Sequence, residues 1–229
     1  MKHRLQRSFL LLRNASSTWK IIAILLAFQC YFTLLDELPQ KQLFFGLSWL
    51  GLSEGKFFEL FTYILIHGSW THLGLNLAAI LILGSKLEYI IPKLTLELLA
   101  THAALAGGLM FLLLSPSNQT LVGSSPICFA FLLMLLTLSP ESKFLPFFLS
   151  GKTLGIAIIL ANFLLALLNP DLPTGPIAKL GQGLENRVPK LFEASHACHL
   201  GGSLVGWIYG IYMLRPRISL KTLQQRRNR

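Results

Sequence analysis

Apolar runs separated by short polar breaks organise this chain. They occupy residues 19–35, 72–91, 94–114, 126–138, 154–168 and 196–214. A helix rises about 1.5 Å per residue and the hydrocarbon core of a bilayer is about 30 Å thick, so each run can cross the core or nearly so. Within lipid every backbone N–H and C=O must be satisfied inside the chain, which helices do without a partner. The pattern predicts an all-α membrane protein, a bundle of six transmembrane helices. Two longer connections remain. Residues 36–71 carry Phe44, Phe45, Trp49, Leu50, Phe57 and Phe58; they are too apolar for a solvated linker and are expected to lie along the interface as short amphipathic helices. Residues 169–195 are rich in Pro and Gly and are expected to be irregular.

Composition agrees with a lipid environment. Of 229 residues, 53% are hydrophobic and 13% charged, with a mean hydropathy of +0.58, too apolar for an ordinary soluble domain. The net charge of +10 does not imply a nucleic-acid partner, because the charge sits at the chain ends and between apolar runs instead of along one folded face. With six spans both termini share a side, and that side holds Lys2, Arg4, Arg7, Arg13, Lys20, Lys86, Lys93, Lys143, Lys152, Arg215, Arg217, Lys221, Arg226, Arg227 and Arg229. The other side carries more acids, among them Asp36, Glu37, Glu54, Glu59, Asp171, Glu185 and Glu193. The positive-inside rule places both termini in the cytoplasm, as fits a bacterial inner membrane; an organelle membrane is the alternative, since the first twenty residues contain Arg and Ser without acids. No small-residue cleavage site follows the first apolar run, so it is expected to be retained as an anchor. The expected organisation is a basic segment over 1–18, a six-helix domain over 19–214 and a basic tail over 215–229. Cys30, Cys128 and Cys198 are odd in number and lie in or beside apolar runs, which predicts small buried hydrophobes and no disulfide framework.

Polar groups inside spans are costly and therefore mark candidate sites. In the second span His72 and Asn76 stand four residues apart, on one helical face. The fourth begins with Gly123-Ser124-Ser125-Pro126. Proline suits a first helical turn and pushes the preceding residue out of the α region, so Ser125 is expected as the N-cap, at the positive end of the helix dipole. In the sixth, His199 shares a face with Gly202, Gly206 and Gly210, and small residues at that spacing admit a close neighbouring helix. Counting rise from the opposite ends, Asn76, Ser125 and His199 fall at one depth, about 8 Å below the outer edge of the hydrocarbon. A serine and a histidine meeting there can form a nucleophile and general base. The Asn76 amide, a His72 N–H and the Ser125 backbone N–H are suitable oxyanion donors. No span carries an acid placed to orient His199, which favours a dyad over a triad. Phe129, one turn after Ser125, is positioned to stack on the imidazole.

These residues resemble the rhomboid family. His67-Gly68-Ser69-Trp70-Thr71-His72, Asn76, Gly84 and Glu88 resemble its second helix; Gly123-Ser124-Ser125 resembles its Gly-x-Ser motif; and His196-Ala197-Cys198-His199-Leu200-Gly201-Gly202 resembles its His-x-x-His-x-Gly-Gly motif. The resemblance runs from about residue 19 to 214. It implies an intramembrane serine protease with Ser125 as nucleophile, His199 as base, and His72 and Asn76 lining the oxyanion hole, with Gly123, Phe129, His196 and Gly202 in support. It also implies single-pass transmembrane protein substrates, no cofactor and no metal, and a substrate path between the second and fifth spans. Two positions depart from the family: Pro126 follows the serine where Gly is usual, and Phe58-Glu59 stands where a Trp-Arg pair is usual. Two other readings exist. One is a catalytically inactive rhomboid-like protein that binds transmembrane helices. The other is a metal site built from His67, His72, His196, Cys198 and His199, which the adjacency of Cys198 and His199 disfavours, since neighbours on a helix point about 100° apart.

Overall fold

The computed structural model describes residues 12, 14–34, 44–116, 118–144, 148–171, 175–189 and 194–215. The predicted basic segments over 1–18 and 215–229 lie outside the described residues except for 12, 14–18 and 215, and the connection over 36–43 also lies outside them.

The described chain is a helical bundle. Its apolar helices are α1 (Ser16–Leu34), α4 (Trp70–Ile90), α5 (Lys93–Leu114), α6 (Ser125–Leu138), α7 (Gly151–Leu167) and α9 (His196–Leu214). By length and composition α1, α4, α5 and α9 are long and apolar enough to cross a membrane, whereas α6 and α7 are shorter apolar helices of 14 and 17 residues. Local chemistry sets several starts. Ser69, Ser150 and Ser195 are N-caps whose hydroxyls accept from the N–H groups of His72, Thr153 and Cys198, satisfying donors that the first turn leaves open. Pro92 separates α4 from α5 by forcing Ile91 into an extended conformation. A two-residue antiparallel ribbon, β1 (Lys143–Phe144) with β2 (Leu149–Ser150), joins α6 to α7.

Helix α6 is the axis of the bundle. Pro126, Ile127, Cys128, Ala130, Phe131, Leu133, Met134, Leu135 and Leu136 are all buried, enclosed by α4, α5, α7 and α9. Fourteen residues span about 21 Å, short of a core about 30 Å thick. The helix is therefore too short to cross such a core from surface to surface.

The connection before α4 folds into the short helices expected of it, α2 (Trp49–Ser53), α3 (Glu59–Thr62) and a 3-10 turn over Tyr63–Leu65. It is fastened to the bundle by polar contacts. Leu47 and Leu121 exchange backbone hydrogen bonds of 2.9 and 2.8 Å, the Tyr63 hydroxyl donates to Ala104 O at 2.6 Å, and the Trp49 indole donates to Leu112 O at 2.9 Å. Glu59 is fully buried here. Its Oε2 accepts the Ser48 N–H at 3.0 Å, and burial pushes its carboxyl above the usual carboxylate range. The charge reversal at this position is thus absorbed beneath the loop and is not presented to lipid.

The connection before α9 differs from the irregular segment expected of it, because α8 (Pro176–Glu185) forms within it. Pro176 occupies the first turn, and Ala178 and Gly181 face inward. A Cβ on Gly181 would overlap the Leu168 carbonyl at the end of α7. Cys128 and Cys198 are buried as expected, but Cys30 is exposed, because it lies on a face of α1 that no other described helix covers.

The second and first spans are joined at the end remote from α2 and α3. Glu88 Oε1 accepts the Ser17 N–H at 2.9 Å, and its Oε2 accepts the Thr18 N–H at 3.0 Å and the Thr18 hydroxyl at 2.9 Å. Gly84, one turn earlier, leaves room for Thr18, whose Oγ1 would lie 2.9 Å from a Cβ there. The carboxylate thus caps the start of α1 from another helix, with the charge sign that a helix N-terminus favours. Glu88→Ala is expected to lower stability by about 1–3 kcal/mol. Glu54→Ala, which removes an exposed ion pair with Lys56, is expected to leave stability close to that of the wild type. Unfolding of both variants in matched micelles compares them.

Candidate active site

The approach of α9 to α6 is made by glycine. A Cβ on Gly202 would overlap the Pro126 carbonyl, and one on Gly206 would overlap the Ala130 carbonyl. On an adjacent face Gly201 meets the Ala106 carbonyl of α5. Helices normally pack with axes 8–10 Å apart; here backbone lies against backbone, which suits lipid, where packing and hydrogen bonds replace the hydrophobic drive.

That contact brings His199 to Ser125. The Ser125 Oγ lies 3.0 Å from His199 Nε2. Phe129 stacks on the imidazole with ring centres 4.2 Å apart and an interplanar angle of 19°, so the residue one turn below the serine holds the ring in place. Ser125 and His199 are each half-buried, and both line a cavity of about 700 Å³. His72, Ser69, Leu165 and His196 are among its other walls.

The turn before α6 differs in detail from expectation. Ser124, not Ser125, is the N-cap, and Ser125 and Pro126 form the first turn. The Ser124 side chain makes no capping bond because it turns to His67. The Ser124 N–H donates to His67 Nε2 at 3.2 Å, and the Ser124 hydroxyl lies 3.0 Å from the same nitrogen. Accepting that N–H requires an unprotonated Nε2, so His67 carries its proton on Nδ1. His67 is itself held by Gln29 of α1, whose Oε1 accepts its N–H at 3.2 Å. Gly123 has φ +113°, a region open chiefly to glycine, and a Cβ there would lie 2.6 Å from His72 Cε1. The Gly123 N–H donates to Tyr63 O at 2.9 Å. The Ser125 hydroxyl is therefore free of capping duty.

His72 and Asn76 occupy one face of α4, as their spacing requires. His72 borders the cavity. Asn76 is buried one turn deeper, where its Oδ1 accepts from the Cys128 thiol at 3.6 Å. Its Nδ2 has no hydrogen-bond partner among the described residues. A buried amide N–H without an acceptor is costly, and such groups are found at functional sites.

One site residue, Asn162, and the role of another, His67, are not legible in the sequence. Asn162 of α7 places its Oδ1 3.3 Å from His196 Nδ1, joining α7 to the start of α9. Its only trace in the sequence is a lone amide in an otherwise apolar run. The role of His67 as an anchor for Ser124 depends on a contact 57 positions apart, which spacing does not reveal; both residues are fully buried. The ligands of the metal reading disperse. His67 bonds Ser124, Cys198 Sγ lies 4.0 Å from the Tyr63 hydroxyl, and among the described residues no three His, Cys, Asp or Glu side chains come together as a metal site.

The fold and the cavity define a polytopic helical membrane protein with a recessed serine–histidine pair. A sequence profile of the rhomboid domain matches residues 54–216, which is most of the chain, and the protein belongs to the rhomboid family. No curated protein matches the sequence.

Burial, with the His72 imidazole facing it, holds His67 down at about 3. The unfolded chain takes up a proton at this side chain near its ordinary value of 6.5, whereas the folded chain resists until far lower pH. Stability is therefore complete above about pH 6.5 and is lost progressively as pH falls toward 3. The melting midpoint of the wild type is expected to fall on acidification from about pH 7 to about pH 4, and that of His67→Gln to fall less. Parallel pH dependence in the two proteins would show that His67 is not the source of the acid sensitivity.

Proposed function

We propose that this protein is an intramembrane serine endopeptidase that hydrolyses peptide bonds in or near transmembrane segments of membrane-protein substrates. The observation that carries the reading is the 3.0 Å approach of Ser125 Oγ to His199 Nε2 inside a recessed cavity. His199 Nε2 takes the hydroxyl proton as Ser125 Oγ attacks the carbonyl carbon. It then returns the proton to the leaving amine, giving an acyl-enzyme that water hydrolyses by the same exchange. Among the described residues no carboxylate contacts His199, so orientation falls to the Phe129 stack.

The tetrahedral oxyanion is held by the Asn76 Nδ2 amide, a His72 N–H and the Ser125 backbone N–H, with the dipole of α6 behind them. Pro126 removes one first-turn N–H but leaves that of Ser125, which has no intrahelical acceptor. Gly123, His196 and Gly202 act through the shape of the turn and the seating of α9. Under this reading residues 19–214 are the protease domain, with basic segments over 1–18 and 215–229 in the cytoplasm, and the cavity opens toward the other face of a bacterial plasma membrane.

Substrate reaches the cavity between α4 and α7. Leu75 of α4 and Leu165 of α7 both border it, and Leu75 is 69% exposed on the lipid-facing side. A helical substrate must unwind there, because a helical carbonyl is already hydrogen-bonded.

Reconstituted with a transmembrane substrate, the wild type is expected to release a fragment, and Ser125→Ala and His199→Ala to slow that release by a factor of about 10³ or more. Equal cleavage by these variants would reject the dyad, and a wild type that binds the helix without cutting it would favour the inactive rhomboid-like reading. Tethering positions 75 and 165 through a cysteine cross-link is expected to block the transmembrane substrate while a small soluble ester is still hydrolysed. Unchanged cleavage of the transmembrane substrate would exclude lateral access.

A further inference from the structure

Helix α8 differs from the apolar helices around it, because its side chains divide into three sectors. At about 100° per residue, Ala178 and Gly181 point one way, Ile177, Leu180 and Leu184 centre about 100° to one side of them, and Lys179 and Gln182 about 100° to the other. The first sector is buried, with Gly181 under the Leu168 carbonyl at the end of α7. The Gln182 amide donates to Pro170 O at 3.3 Å and fastens α8 to the same place. The apolar sector is left open: Ile177 and Leu180 are 56% and 59% exposed. Lys179 and Gln182 are exposed as well.

We propose that α8 lies flat on the membrane at the cavity end of the bundle, with Ile177, Leu180 and Leu184 seated in the lipid surface and Lys179 and Gln182 turned to water. Length excludes a span, since ten residues rise about 15 Å, half of a core about 30 Å thick. The sectors give the orientation. A helix lying at a membrane surface beside a bundle has protein on one flank, lipid below and water above, and the three sectors of α8 stand at about those right angles. Depth agrees. Gly68 and Ser69, just before α4, and Asn169, just after α7, border one cavity, so the start of α4 and the end of α7 stand near one level. Trp70 opens α4 there and is 48% exposed; a tryptophan at the end of a span sits at headgroup depth. Pinned to Leu168 and Pro170, α8 is held at that depth.

Area sets lipid apart from a protein partner. The apolar sector is about 15 Å long and about 10 Å across, or about 150 Å², against about 800 Å² per partner in a stable protein interface. Lipid needs no such area, because α8 is strung between α7 and α9 and is already held beside the bilayer, so seating three side chains carries no cost of bringing two molecules together.

The test is independent of proteolysis and uses the full chain in phosphatidylcholine vesicles. In a Cys30→Ser background, which removes the exposed native thiol, Ile177→Cys, Leu180→Cys and Lys179→Cys are each labelled with a nitrobenzoxadiazole dye. At 177 and 180 the emission is expected to shift to the blue and to be lost to a phospholipid carrying a nitroxide near the top of its acyl chain, with little loss to aqueous iodide. At 179 the two quenchers are expected to act in the reverse order. A phospholipid with a photoreactive group at the same depth serves the wild type, so the result does not depend on the variants folding; it is expected to label Ile177 or Leu180 and to spare Lys179. Loss to iodide at all three positions, as a face in water gives, would overturn the proposal. So would protection of 177 and 180 from both quenchers, as a second copy or another segment of the chain gives, or a wild type with no label on α8.

Discussion

The site depends on how closely α9 lies against α6. Gly202 and Gly206 rest under the carbonyls of Pro126 and Ala130 with no room for a methyl group, and this contact sets the reach of His199 toward Ser125. One interface supplies three parts, since Ser125 and Phe129 come from α6 and the imidazole between them comes from α9. In lipid such closeness is favoured by dispersion between packed backbones and is not opposed by exposed polar surface.

The second constraint is the length of α6. A helix enclosed by four others can be short, and its first turn, with Ser125, opens into the cavity. The turn before α6 carries buried backbone polar groups, which must be satisfied inside the protein. The positive φ of Gly123 lets the chain turn into the helix, Tyr63 accepts its N–H, and His67 takes the Ser124 N–H and hydroxyl. Ser125 and the Asn76 amide remain as the groups not consumed by the fold, the condition for the proposed reaction. The outer loop, pinned by Leu47, Trp49 and Tyr63 to α5 and to the turn before α6, fixes the walls.

Much of this was legible in the sequence because lipid makes the pattern strict. Apolar runs gave the helices to within a few residues, and the short helices of the 44–71 connection followed from its aromatic residues. The one-face spacing of His199 with Gly202 and Gly206 announced a close helix contact. What was hidden is non-local or masked by composition. The frequent glycines and prolines between α7 and α9 obscured the helical spacing of Ile177, Ala178, Leu180 and Leu184 in α8. The cap was placed one residue late, at Ser125, because His67 draws the Ser124 side chain away from the helix end. Glu59 read as a surface charge, and its burial depends on Ser48 and Gly51 folding over it.

The most direct measurement of the central claim is the reaction of the purified protein with a fluorophosphonate probe, followed by mapping of the modified residue. It tests nucleophilicity without a known substrate. A hydroxyl activated by the neighbouring imidazole places the label on Ser125 and loses it when His199 is replaced by Ala. Labelling at another residue, or undiminished labelling of Ser125 in the His199→Ala protein, would contradict the account.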